Sequence, residues 1–142
     1  MTENAATLHA SCVAVAGRAV LIRGASGAGK SGLALQMMAL GADLIADDRV
    51  QLERRGGILV ASCPPAIHGL IEARGIGLLR AAPVPPAQVA LVVDLDTAEC
   101  DRLPPARRVE VAGAELPLLL RVDAPYFAAA VMQYLKEGRR DP

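Results

Sequence analysis

Residues 24–31 read Gly24-Ala25-Ser26-Gly27-Ala28-Gly29-Lys30-Ser31, "GASGAGKS". Every position fits G-x-x-x-x-G-K-[S/T], a phosphate-binding loop. The chemistry explains the spacing. Glycines let backbone N–H groups turn inward onto phosphate oxygens. A helix starting at Lys30 aims the positive end of its dipole at the same oxygens. Lys30 would reach the β and γ phosphates, and the Ser31 hydroxyl would ligate Mg²⁺. The flanks agree with this reading. The apolar run "AVLIR" precedes the loop. "KSGLALQMMAL" follows, with Leu33, Met37 and Leu40 at helical spacing, and stops at Gly41. The plainer alternative is a glycine-rich turn before a helix.

Outward from the loop, strands dominate. "LHASCVAVA" (8–16) alternates and predicts a strand, with a tight turn at Gly17-Arg18 into "AVLIR". "DLIADD" predicts a short buried strand ending in two carboxylates. "RVQLERR", Gly56-Gly57 and "ILVAS" form a hairpin signal. "AIHGLIEA" predicts one or two helical turns, and "RGIGLL" a further strand. After the proline-rich connector "AAPVPPA", "VALVVDL" is the most hydrophobic strand. "DRLPPARR" reads as an irregular basic loop, and "RVEVAGAELPLLLRV" as a second hairpin around Ala112-Gly113. The tail from Ala124 predicts an amphipathic helix ended by Gly138. The expected class is α/β: a mixed sheet with the loop helix and a C-terminal helix packed on it.

Bulk properties narrow the function. The chain has 142 residues, enough for one domain with a real core. Its 15 basic and 15 acidic residues balance, which leaves no electrostatic case for nucleic acid or an anionic membrane. Lys30 and Lys136 are the only lysines, so one inside a glycine loop stands out. The start, "MTENAATLHA", lacks a basic, apolar leader, and no apolar run reaches the ~18 residues of a membrane span. With Cys12, Cys63 and Cys100 odd in number and far apart, the expectation is idle thiols in a reducing cytoplasm.

Further polar residues compete for roles. Asp47 and Asp48 follow "LIA" where phosphate-loop proteins hold Mg²⁺ or position a nucleophile. A solvated turn would also place them there. Asp94, in "VALVVDL", is a rival carboxylate on an apolar strand, and spacing does not choose between them. Glu72 and Arg74, beside Gly75 and Gly77, suit a metal and a phosphate, or a surface ion pair. By residue type alone, His9 is a packed or surface histidine and Arg102 a solvated loop residue. His68 has no evident partner.

Taken together, "LHASCVAV", "GASGAGKSGLAL", "GADLIADDRV", "CPPAIHGLIEARGIGLL" and "DRL", in this order over most of residues 8–103, resemble the catalytic C-terminal domain of HPr kinase/phosphorylase. "ADDRV" and then "EARGIG" carry more of the likeness than the widely shared loop. The resemblance implies a P-loop kinase domain of the HPr kinase/PEP carboxykinase-like type, one catalytic domain over 1–142. It implies ATP and Mg²⁺ as cofactors, and HPr or an HPr-like phosphocarrier as the partner in regulating the phosphotransferase system and carbon metabolism. By residue, it implies an ATP loop at Gly24–Ser31 and a catalytic lysine, Lys30. It implies magnesium ligands Ser31 and Glu72, an active-site His9 and a catalytic Arg102. It makes the Asp47/Asp48 pair the carboxylates of base and metal contacts, with Asp48 taken as the base. Asp94 then recedes to a structural role.

The likeness is to a form without the family's N-terminal domain. It fades where the family carries a "PVRPGRN"-like segment tied to phosphate removal. "LLLRVDAPYF" stands there, keeping only Arg121. A homo-oligomer is the family expectation. Two other functions fit the same loop: a kinase for another protein or a small hydroxyl compound, and a non-catalytic nucleotide sensor.

Overall fold

The computed structural model describes residues 5–141. The expectations resting on residues 1–4 and 142, part of the leader and domain readings, lie outside them. Eleven strands and two α-helices follow one another in these residues. The central strand is β9 (Ala87–Ala98). Along one side β9 runs parallel to β3 (Arg18–Arg23). On its other side it pairs first with β6 (Ile58–Ser62), antiparallel, and then with β11 (Ala114–Arg121), parallel.

Outside β3 lie β2 (Ser11–Val15) and then β4 (Asp43–Ala46). Outside β6 lie β5 (Val50–Arg55) and β1 (Ala6–Leu8). β10 (Arg107–Val111) pairs with β11. β7 (Leu70–Ala73) and β8 (Gly77–Arg80) form a separate two-stranded hairpin.

Period-2 alternation explains how one sheet makes two cores. Val20 and Ile22 of β3, with Leu91 and Val93 of β9, face the helices. Leu21 and Ala19, with Val92 and Val89, face the opposite side, where Leu52 and Leu59 of β5–β6 and Val111 and Leu116 of β10–β11 pack. Val89 and Val92 share a face although they differ in parity. The register shifts between Ala19/Val89 and Val20/Leu91, so the extra residue Ala90 resets the alternation.

Helix α1 (Lys30–Ala39) buries Leu33, Ala34 and Met37 against the first core. Helix α2 (Phe127–Glu137) buries Ala128, Val131, Met132 and Leu135, the i, i+3, i+4, i+7 stripe of an amphipathic helix. It ends at Gly138, whose N–H bonds to the Tyr134 carbonyl at 2.8 Å. Both helices, both hairpins and the proline-rich connector lie where the sequence places them.

Three local expectations are corrected. The strand expected over 8–16 is interrupted at His9-Ala10, so β1 and β2 leave in different directions to pair with β5 and β4. The following turn sits at Ala16-Gly17, both at positive φ, and Arg18 already belongs to β3. The helical turns expected over 66–73 reduce to a 3₁₀ turn at Pro65–Ile67. Gly69 then takes φ +74°, where an added Cβ would stand 2.8 Å from the Ala81 carbonyl oxygen. Beyond it, Leu70–Ala73 alternates in burial and pairs with β8. Ile71 and Ala73 are buried on one face and Glu72 between them is exposed, the burial pattern of a strand.

Candidate active site

The phosphate loop leaves the end of β3 and enters α1 without a side-chain cap, Gly29 (φ +103°) being the N-cap. The first-turn N–H groups of α1 are therefore free of side-chain acceptors and directed along the helix axis. Lys30 is 8% exposed, and its Nζ donates to the carbonyls of Gly24 (2.7 Å) and Ala25 (3.1 Å). The ammonium thus lies inside the turn of its own loop. Gly24 is pressed: a Cβ there would stand 3.0 Å from Ala28 Cβ and 3.3 Å from Asp96 Oδ1.

The two adjacent carboxylates point apart, as consecutive residues at a strand end do. Asp47 is buried and acts as a hub. Its Oδ1 accepts from Ser11 Oγ and from Ser31 Oγ, each at 2.7 Å, and its Oδ2 accepts from the Glu72 N–H at 3.0 Å. One side chain thus joins β2, the start of α1 and β7. Asp48 faces outward in a left-handed conformation, φ +72°, which Asp tolerates better than most residues. His9 donates from Nε2 to Asp48 Oδ1 at 3.0 Å, both side chains being exposed. The break between β1 and β2 places His9 there.

These pieces line one cleft of about 590 Å³, the size of a small-ligand site. Loop residues Ser26, Gly27, Gly29 and Lys30, with Ser31, form one wall. His9 and Asp48 form another, and Glu72, Arg74 and Ile76 of the β7–β8 hairpin a third. The structure therefore brings together His9, the loop, Ser31, Asp48 and Glu72, with Asp47 directly behind them. Arg102 is exposed on the loop after β9, outside the cleft lining. Asp94 is also outside it, 3.7 Å from Arg23 Nη2 in an ion pair.

Hard oxygen donors are what Mg²⁺ takes, and Ser31, Asp47, Asp48 and Glu72 supply them around this cleft. Among the described residues, no group of three or more His, Cys, Asp or Glu is arranged to hold a metal. Mg²⁺ keeps several waters and binds one or two protein oxygens beside substrate phosphates.

Two contributors were missed in the sequence. Ser11 is fully buried, and its signal is a lone hydroxyl within an apolar strand. Asp96 accepts the Ala25 N–H at 2.9 Å, and no motif spacing announces it. Away from the cleft, Arg107 grips Glu99 through two hydrogen bonds of 2.9 Å and holds its carboxyl down to about 2. All three cysteines are free, Cys12 buried, Cys63 half-buried and Cys100 exposed. Among the described residues, no helix is long and apolar enough to cross a membrane.

Comparison with known proteins identifies the family and the fold. The family pattern for the HPr Serine kinase C-terminal domain matches residues 2–103. HPr kinase/phosphorylase of Bordetella pertussis is 46% identical over 74 residues, covering 51% of this chain and 24% of the relative. That of Nitrosomonas europaea is 44% identical over 81 residues, covering 56% and 25%. The matched stretch thus spans about a quarter of these relatives' length. The solved Hpr(Ser) kinase/phosphatase of Coxiella burnetii superimposes with a TM-score of 0.78 at 26% identity, over 92% of this chain and 94% of that one. The α/β fold of mixed sheet, loop helix and C-terminal helix is shared with that structure, and the chain belongs to the HPr serine kinase C-terminal domain family.

Proposed function

We propose that this chain is an ATP- and Mg²⁺-dependent protein serine kinase whose acceptor is HPr or an HPr-like phosphocarrier, working in the cytoplasm, with residues 1–142 acting as one catalytic unit. One observation carries the reading: the His9–Asp48 pair, 3.0 Å across, lines the same cleft as the phosphate loop. A nucleotide sensor has little need of a carboxylate base opposite its phosphates.

The roles follow from position. Loop N–H groups and the Lys30 ammonium hold the β and γ phosphates of ATP. Ser31 and Glu72 would hold Mg²⁺, which would supply neutralising charge for the transferred group. Asp47 orients Ser31 and fixes the backbone at Glu72. Asp48 accepts the proton of the acceptor serine hydroxyl as its oxygen bonds to the γ-phosphorus. The bond from that phosphorus to the bridging oxygen breaks, and ADP leaves. His9 orients Asp48 by its hydrogen bond. Arg102 enters the proposal on the family resemblance alone. Catalysis is positioning and charge neutralisation, as phosphoryl transfer requires.

The test uses labelled ATP with purified HPr. Wild-type protein labels a serine of HPr. Asp48→Asn, which retains Asp's tolerance of left-handed backbone, lowers kcat by about 10²–10⁴ with nucleotide binding intact. Lys30→Ala loses nucleotide affinity and transfer together. Wild-type transfer by D48N overturns the assignment of the base. Efficient transfer to some other hydroxyl compound, with none to HPr, overturns the acceptor.

A further inference from the structure

The peptide group between Gly24 and Ala25 is gripped from both ends. Its carbonyl accepts from Lys30 Nζ at 2.7 Å, and its N–H donates to Asp96 Oδ1 at 2.9 Å. Asp96 is itself held in place. Its own N–H donates to Asp94 Oδ1 at 2.9 Å, and Asp94 pairs with Arg23 at 3.7 Å. The carbonyl of Leu95, between the two aspartates, accepts from Arg121 Nη1 at 2.6 Å. Gly24 leaves no room for a side chain in front of this carboxylate, 3.3 Å from where a Cβ would lie.

Charge alone gives no reason for an acid here. A carboxylate beside a phosphate loop repels the phosphates the loop is built to hold. Asp96 lies outside the cleft lining, and its side chain contacts the Ala25 N–H instead.

We infer that Asp96 is a positioning residue for nucleotide binding: it fixes the first peptide of the phosphate loop through the Ala25 N–H, and so presets Lys30. The inference rests on the nucleotide reading of the loop. The peptide has one orientation in which its carbonyl meets the ammonium and its N–H meets the carboxylate. Releasing the N–H lets the peptide rotate and carries the Lys30 contact with it. The end of β9, through Arg23, Asp94 and Arg121, is then the rigid base against which the loop is set.

Two variants separate positioning from charge. Asp96→Asn keeps an acceptor oxygen and removes the charge, whereas Asp96→Ala removes both. Direct titration with a fluorescent ATP analogue and Mg²⁺ gives the affinities, and amide exchange of Ala25 in nucleotide-free protein reads the grip itself. D96A binds the nucleotide about ten-fold more weakly, the scale of one hydrogen bond to a charged group, and its Ala25 amide exchanges about ten-fold faster. D96N binds as tightly as wild type or tighter, with Ala25 still protected. Loss of charge alone predicts the opposite for D96A, tighter binding, and that result overturns the inference. So does unchanged Ala25 exchange in D96A, or D96N failing as D96A does. If wild-type protein binds no nucleotide, the reading of the loop itself falls, and this role with it. Wild-type binding with an unaffected D96A overturns the positioning role alone.

Discussion

Asp47 and Asp48 are neighbours in the chain with opposite environments. Asp47 takes three donors from three elements and is buried; Asp48 takes one from His9 and is exposed. A buried carboxylate engaged at both oxygens has no open face for an acceptor hydroxyl, whereas Asp48 lines the cleft, which supports Asp48 as the base. Asp47→Ala strands the Glu72 N–H and two hydroxyls, so it costs about 2–3 kcal/mol of folding stability, read from the urea midpoint. Asp47→Asn keeps one acceptor oxygen for the two serines and costs less. A stability loss in D47A no larger than that of an exposed control, Asp123→Ala, would remove Asp47 from its place as hub. The adjacent carboxylates were visible in the sequence as a pair. Their division of labour was not, because it depends on Ser11 and Glu72, which lie 36 and 25 residues away.

At the scale of elements, α1 both carries the loop and caps the first core. Met37 is fully buried on its inner face, and Met38 is only half-buried. Met37→Ala is expected to cost about 2–5 kcal/mol and Met38→Ala clearly less, measured by chemical denaturation. Equal losses would mean that the helix face is rotated. The spacing of Leu33 and Met37 shows this face directly, as the alternation of "ILVAS" shows β6. The segment 66–73 was misread because a short apolar run has no decisive period of its own. Gly69 at positive φ, packed against the Ala81 carbonyl, settles it, and Ala81 is twelve residues away. Asp94, the rival carboxylate, pairs with Arg23 and lies outside the cleft lining, which strand periodicity alone does not reveal.

For the whole molecule, one sheet divides two cores, and Cys12 belongs to the one away from the helices. Burial pushes its thiol well above the ordinary 9.0 and keeps it protonated. Folded protein is therefore expected to react with a thiol reagent at Cys100 first, more slowly at Cys63, whose thiol burial also raises, and at Cys12 only on global unfolding. Peptide mapping after timed labelling checks the order; early labelling of Cys12 would contradict the second core. The folded value is raised, so the Cys12 contribution is complete below pH 9. It is lost as pH rises further, because the unfolded chain ionises there and the folded one does not.

Local sequence determined what local chemistry can specify: the phosphate loop with its strand and helix, both hairpins, the amphipathic C-terminal helix and the carboxylate pair. Each is written in residues within one or two turns of each other, where backbone preference and periodicity act. Only the tertiary structure decided which residues share the cleft. His9 reaches Asp48 across 39 residues, and Asp96 reaches Ala25 across 71. Those contacts exist because β9 runs parallel to β3 and β2 carries the chain past β4, and strand pairing at such separation leaves no periodic trace in the chain.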